Sequence, residues 1–194
     1  MVPARQPTEN GGAVQRRGGW RIRYRVAQFV EALRAPFRPV DRVYVQRLLS
    51  RAAAPEDLAR LFDRMPRAEQ HHGVHVCRML ERRGHTEPDL LIAALFHDVG
   101  KLVAPPQLWE RVLVVLIEHF APRTAERWER GPLEGAGLRR AFVVRRGHAD
   151  WGADLVVGAG GDARTVDLIR GHHGDIDVPV DPEFLSALQS ADES

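Results

Sequence analysis

A histidine and an aspartate end one of the most apolar segments of the chain. The segment LIAALFHDVGKL, residues 91–102, runs through leucine, alanine and phenylalanine directly into His97 and Asp98. Burying an imidazole and a carboxylate among such residues is costly unless a partner compensates their polarity. A divalent metal ion would compensate both, because each group is a good metal ligand. The segment therefore predicts a metal site whose other ligands lie elsewhere in the chain.

A second candidate ligand lies on a predicted helix over residues 67–83. His72 shares the apolar face of this helix with Leu80, whereas His71 and His75 align with its polar face. We therefore expect His72 to point inward. The alternative is that His71 and His75, four residues apart, bind zinc as a pair, which would require the polar face to form a pocket.

The later helices carry four more candidates. His148 is predicted to open a helix whose apolar members include Trp151, and His172 and His173 end another. Adjacent histidines point about 100° apart on a helix, so one can bind a metal ion while the other faces a cleft. Asp192 follows Leu188 by four residues, on the apolar face of the last helix. For each histidine taken alone, a structural or capping role is the alternative.

Together these residues offer nitrogen and oxygen ligands without a thiolate. Such a set suits Mn, Fe, Co, Ni or Zn, with Mg possible where carboxylates dominate. The Asp98 carboxylate could bridge two ions, which would hold a hydroxide and clamp a phosphoryl oxygen. The predicted ligands of one or two divalent ions are His72, His97, Asp98, His148, His172, His173 and Asp192.

Lys101 is the only lysine among 28 basic residues, and it follows the His97-Asp98 pair by three positions. A lysine ammonium is a compact point charge that suits a single phosphate oxygen better than a guanidinium does. We therefore predict that Lys101 is a catalytic residue together with Asp98. The alternative is an accident of an arginine-rich composition.

The elements that must position these groups are helices, because alternating strand patterns are missing along the chain. This predicts an all-α fold, with a disordered basic tail over 1–19, an N-terminal helical extension over 20–60 and a helical domain over 61–194. The predicted helices cover Trp20–Pro36, Val40–Ser50, Pro55–Met65, 67–83, 88–97, 105–131 with a break at Pro122, Leu138–Val157 with an interruption near Gly147, a segment capped by Asp162 and a segment capped by Asp181.

Composition limits the class of protein and its compartment. No apolar run approaches the roughly 20 residues that span a bilayer, and the polar N-terminus lacks the apolar core of a signal peptide. The single cysteine, Cys77, excludes an internal disulfide and agrees with a reducing cytoplasm. Residues 1–60 carry twelve arginines and five acidic residues. This basic N-terminus could contact nucleic acid or an anionic membrane, although a solvated tail is the favoured interpretation.

The ordered set of His72, His97-Asp98 and Asp192 resembles the HD-domain superfamily of metal-dependent phosphohydrolases. HHGVHVCRML resembles its first histidine helix, LIAALFHDVGK its second motif, and SADES the helix of its final aspartate. GHADWGADLV, with Gly152 four residues after His148, and IRGHHGD resemble the additional motifs of the binuclear members. The similarity covers about residues 61–194 and implies an HD-domain-like helical bundle.

The resemblance implies a role for each residue. His72, His97, Asp98 and Asp192 would hold one ion, Asp98, His148 and His172 or His173 would surround a second, and Lys101 would contact substrate phosphate. The chain departs from the cyclic-di-GMP phosphodiesterases, because GDIDVPVDP replaces their Gly-Tyr-Pro loop. It also carries an insertion, residues 105–146, which could pack on the core, line the pocket, form a dimer interface or lie on a membrane.

These features predict a phosphomonoesterase or phosphodiesterase that acts on a nucleotide-like or small phosphoester through attack by metal-bound hydroxide. Two alternatives stay open. Relatives that resemble myo-inositol oxygenase use the same ligand types for a di-iron centre, and a non-catalytic module could bind a nucleotide through the same helices.

Overall fold

A computed structural model describes residues 39–173 and 181–194. In these two ranges all regular structure is helical, which confirms the predicted all-α fold. The predicted tail over 1–19 and the predicted helix from Trp20 to Pro36 lie outside the described residues. The α-helices are α1 Arg42–Leu49, α2 Pro55–Arg64, α3 Arg67–Arg82, α4 Pro88–Phe96, α5 Leu108–Phe120, α6 Pro122–Trp128, α7 Arg140–Gly158, α8 Ala163–Gly171 and α9 Pro182–Asp192, with 3-10 turns at Val99–Leu102 and Gly137–Arg139.

Local signals in the sequence set where most of these helices begin. The Asp162 side chain accepts a hydrogen bond from the Thr165 amide at 2.9 Å, and Asp181 accepts one from the Glu183 amide at 2.9 Å. Both aspartates are therefore N-caps, as predicted. Helices α2, α4, α6 and α9 each begin with a proline, whose missing N–H is not needed in the first turn.

Helix α7 differs from its prediction, because it runs without interruption through Gly147. A Cβ atom at Gly147 would lie 2.7 Å from the Trp151 ring. The glycine thus makes room for an aromatic side chain one turn later and does not break the helix. The expectation that His148 opens a helix was wrong, since it lies in the middle of α7.

Helix α4 forms the centre of the main core. Its residues Leu90–Phe96 are all essentially inaccessible to solvent, and α3 and α8 pack against it. Each buried leucine, isoleucine or phenylalanine stabilises the fold by about 1.5–3 kcal/mol. This burial fixes the C-terminal end of α4, where His97 and Asp98 follow.

Three glycines allow the elements around the candidate site to approach closely. A Cβ atom at Gly73 on α3 would lie 2.5 Å from the Leu95 carbonyl oxygen of α4. A Cβ atom at Gly100 would lie 1.9 Å from the His148 carbonyl oxygen, and one at Gly152 would lie 3.1 Å from the Gly100 nitrogen. The turn Val99–Leu102 therefore packs against the backbone of α7.

The insertion has one packed face and one exposed face. Val114, Ala125 and Phe142 form a small second core, and Trp128 packs edge-on against Phe142. Core packing, the favoured prediction for the insertion, thus accounts for one side of α5. The opposite side exposes an apolar stripe, Trp109, Val112, Leu116 and Phe120. Within the described ranges, none of the helices combines the length and apolar character needed to cross a bilayer.

Candidate metal centre

The structure brings all seven predicted ligands together from distant parts of the chain. They come from α3, the end of α4, the middle of α7, the end of α8 and the end of α9. Among the described residues, these side chains form two groups of three. Within each group the three ligand atoms lie within 4.8 Å of one another. The groups are His72, His97 and Asp192, and His148, His172 and His173.

The first group centres on the Asp192 carboxylate. Its Oδ1 lies 2.7 Å from His72 Nε2 and 3.3 Å from His97 Nε2. The His97 side chain is 1% exposed and that of Asp192 is 30% exposed, so the group extends from the core to the surface. These three atoms converge as ligands of one ion would.

The second group is formed by three imidazoles. His148 Nε2 lies 3.0 Å from His173 Nε2, and the His172 ring packs against both neighbouring rings. His148 and His172 are buried, whereas His173 is accessible. This accessible histidine gives the second group an open side.

Asp98 lies between the two groups. Its Oδ2 is 3.5 Å from His97 Nε2, and its Oδ1 is 3.3 Å from His148 Nε2. The two oxygens of one carboxylate thus face different groups. This is the arrangement that a carboxylate bridging two ions requires.

Hydrogen bonds within each helix orient three of the histidines. The Nδ1 atom of His97 lies 2.8 Å from the Ala94 carbonyl oxygen, and that of His172 lies 2.6 Å from the Ile169 carbonyl oxygen. His148 makes the same contact one turn back along α7, at 3.1 Å. A carbonyl only accepts, so each Nδ1 must donate. Such a bond fixes the tautomer and leaves Nε2 to act as a ligand.

Two of these Nε2 atoms are placed to bind a cation, because they are buried and make no well-directed hydrogen bond. They belong to His97 and His172. An unpaired buried polar atom costs about 1–3 kcal/mol. A divalent ion would remove this cost in both groups. The residues present therefore fit the predicted metal ions.

Electrostatic coupling shifts the pKa values of His97, Asp98 and Asp192. Burial lowers the pKa of His97, but the Asp98 and Asp192 charges outweigh it and raise that pKa to about 9. Burial raises the pKa of Asp98, yet Lys101 and His97 hold it well below its usual range. The pKa of Asp192 is also held low, since His97 and His72 overcome the effect of burial. Both carboxylates are therefore anionic, and in the metal-free protein a proton on His97 compensates their charge.

His172 and His173 of the second group are neutral near pH 7. Burial, followed by the charges of His97 and His173, lowers the pKa of His172 well below its usual value. Burial and the neighbouring His148 lower the pKa of His173 to about 4. Neutral imidazoles are the form that binds metal ions.

Lys101 lies beside the site in contact with two carboxylates. Its Nζ is 2.5 Å from Asp98 Oδ2 and 3.4 Å from Glu69 Oε2. Sequence analysis missed Glu69, which is buried on α3 one turn before Gly73. The sequence did carry a signal for this residue, because Glu69 lies on the same face of α3 as Gly73 and Leu80.

The alternative pair on α3 is not part of either group. His75 is exposed and His71 is partly buried, and neither joins a group of three candidate ligands among the residues that the structure describes. His72 lies on the side of α3 that faces the site. The placement thus favours His72 over the pair.

A sequence profile of the HD domain matches residues 70–193. The match covers more than half of the chain and includes every candidate ligand. The chain belongs to the HD domain family. HD domains bind divalent metal ions and form a superfamily of metal-dependent phosphohydrolases. Comparison with curated proteins and with solved structures found no match.

Proposed function

We propose that this HD domain is a metal-dependent phosphohydrolase that cleaves a nucleotide-like or small phosphoester. The observation that carries the proposal is the pair of ligand groups joined by Asp98, with Nε2 atoms buried and unpaired in each group. A non-catalytic nucleotide-binding module has little need of such a set of converging ligands.

Each group would hold one divalent ion, and Asp98 would contact both. Bound ions would supply positive charge for the phosphoryl oxygens and would acidify a water molecule to serve as nucleophile. His97, His148 and His172 are oriented for this by their bonds to helix carbonyls. The protein thus supplies fixed ligand positions before a metal ion arrives.

Lys101 would bind the phosphoryl group of the substrate from the edge of the site. Its ammonium has three N–H donors, and its contacts with Asp98 and Glu69 hold it next to the bridging carboxylate. The side chain remains 22% exposed, so it is reachable from solvent. A fixed positive charge there would stabilise the negative charge that develops during phosphoryl transfer.

Metal analysis followed by an activity panel tests the proposal. Freshly purified protein is assayed for bound metal, and it is then reconstituted with Mn, Co, Ni or Mg. Phosphate release is measured from aryl phosphates, nucleoside monophosphates and phosphodiesters. We expect metal-dependent hydrolysis that Asp98→Asn abolishes, because the amide cannot replace an anionic bridge.

Metal-loaded protein that hydrolyses no ester of the panel would overturn the proposal. The oxygenase alternative makes a different prediction, namely O₂ consumption by iron-loaded protein. Oxygen uptake is therefore recorded in the same preparations.

A further inference from the structure

A charged cavity of about 230 Å³ adjoins the candidate metal centre. Among the candidate ligands in the described ranges, His173 is the one that lines it. The other charged residues of its wall come from α7, from α8 and from the insertion just after α6. They are Arg145, Arg146, Asp150, Arg170 and Glu129.

Carboxylates in and around the cavity wall hold two of the three arginines in place. Arg145 forms an ion pair with Glu118 of the insertion. Arg170 contacts Asp154 at 3.3 Å, and also Asp150 at 3.6 Å. Such pairing fixes the position of a guanidinium, a planar group with five N–H donors, at the cavity wall.

The three arginines share the cavity with His173 of the second ligand group. Arg146 is exposed and Arg145 is partly buried. The wall holds these three arginines and two carboxylates, Glu129 and Asp150. A phosphoryl group bound beside His173 would therefore meet more cationic than anionic side chains.

We propose that this cavity binds a second anionic group of the substrate, next to the phosphoryl group that the metal centre would hold. The inference rests on the proposed function and narrows its substrate class. The substrate would be a small phosphoester that carries another phosphate or carboxylate. Guanidinium groups recognise both through paired hydrogen bonds.

A matched pair of sugar phosphates tests this. Fructose 6-phosphate and fructose 1,6-bisphosphate differ by one phosphate, and their dissociation constants for the metal-loaded protein are measured by calorimetry. We expect the bisphosphate to bind at least about tenfold tighter, as charge-assisted hydrogen bonds to arginine would give. If either compound is hydrolysed, the ratio of kcat/KM values takes the place of the ratio of dissociation constants.

Arg146→Gln and Arg170→Gln should each lower this preference about fivefold or more, because they should weaken binding of the bisphosphate more than binding of the monophosphate. Arg64→Gln is the control, because Arg64 is exposed on α2 and does not line the cavity. If Arg170→Gln impairs folding, as judged by circular dichroism, the exposed Arg146 carries the test.

Four results would overturn the inference: no preference for the bisphosphate, a preference that the arginine variants leave unchanged, an equal loss in Arg64→Gln, or an equal loss for the monophosphate. The proposed function can fail separately. If the protein hydrolyses no phosphoester, the ratio of the two dissociation constants can still be measured by calorimetry. Hydrolysis with a ratio that the arginine variants leave unchanged rejects the cavity assignment alone.

Discussion

At the level of single residues, three of the candidate ligands are oriented by the same kind of hydrogen bond. His97, His148 and His172 each donate from Nδ1 to a carbonyl of their own helix and direct Nε2 into the site. Because the acceptor belongs to the same helix, the orientation does not depend on distant packing. Three predictions concern single residues of the site.

Two histidines of α3 should differ in their effect on metal binding. We expect His72→Ala to weaken binding at least about 100-fold, since even partners outside the metal's own ligands contribute 10–100-fold. His75→Ala, on the exposed side of the same helix, should keep full occupancy. Metal content after dialysis measures both. A protein emptied by His75→Ala but not by His72→Ala would restore the alternative pair as ligands.

Lys101→Arg should not behave as a conservative change. The guanidinium is larger and planar, so it cannot occupy the position between Asp98 and Glu69 that the ammonium fills. We expect a loss in kcat/KM corresponding to about 1–3 kcal/mol, with metal content unchanged. Lys101→Met should lose at least as much. Wild-type kinetics for Lys101→Arg would exclude a role in phosphate contact.

Metal affinity should rise with pH because His97 must lose its proton to bind. Its pKa is raised to about 9, so the proton is retained below that value and is lost as pH rises through it. His173, with a pKa of about 4, is already neutral in this range. Calorimetric titration with Mn²⁺ should show roughly a tenfold gain per pH unit between pH 6.5 and 8.5. An affinity that is constant or falls with pH would contradict this.

At the scale of elements, close backbone contacts decide how the ligands meet. The turn Val99–Leu102 lies against α7, and Gly100 and Gly152 make that contact possible. The contact sets the distance between Asp98 and His148, which belong to different groups of the site. Helix packing, and not the loops, therefore places the bridging carboxylate.

Gly100→Ala should disturb both the fold and the site. Its Cβ atom would meet the His148 carbonyl oxygen, so the turn must move, at a cost of about 3 kcal/mol. Gly158→Ala is the control, because a Cβ atom there meets no atom within 4 Å. Denaturant unfolding and metal content measure the two effects. Equal stability of the two variants would show that the contact does not constrain the turn.

At the scale of the whole molecule, the candidate ligands tie the fold together. They extend from His72 to Asp192. They come from the end of α4, from α3, α8 and α9, which pack against α4, and from α7, which packs against α8 and the turn Val99–Leu102. An ion that binds only the folded state must therefore stabilise nearly the whole domain. This coupling does not require any catalytic activity.

Bound metal should raise the melting temperature. At 100 times the dissociation constant, binding adds about 2.7 kcal/mol, which corresponds to roughly 5–10 °C for a chain of this size. Thermal unfolding is recorded with Mn²⁺ and after treatment with a chelator. Asp192→Ala should reduce the shift, because it removes a ligand of the first group. An equal shift in that variant would place the stabilising ion elsewhere.

The sequence by itself determined the fold class and the set of candidate ligands. Apolar spacing identified the inward face of α3, and prolines and aspartates marked the beginnings of helices. These signals are local, since 3.6-residue periodicity and capping depend only on neighbouring residues. Family resemblance added the assignment to the HD-domain superfamily, and the HD domain match confirmed that assignment.

Only the tertiary structure decided how those residues meet. It showed that α7 continues through Gly147, where the Trp151 ring occupies the space that a side chain would need. It also placed Glu69 against Lys101 and the insertion beside His173, which are contacts between residues far apart in the chain. Such contacts depend on how whole helices cross, and crossing depends on the summed shape of many side chains rather than on any local pattern.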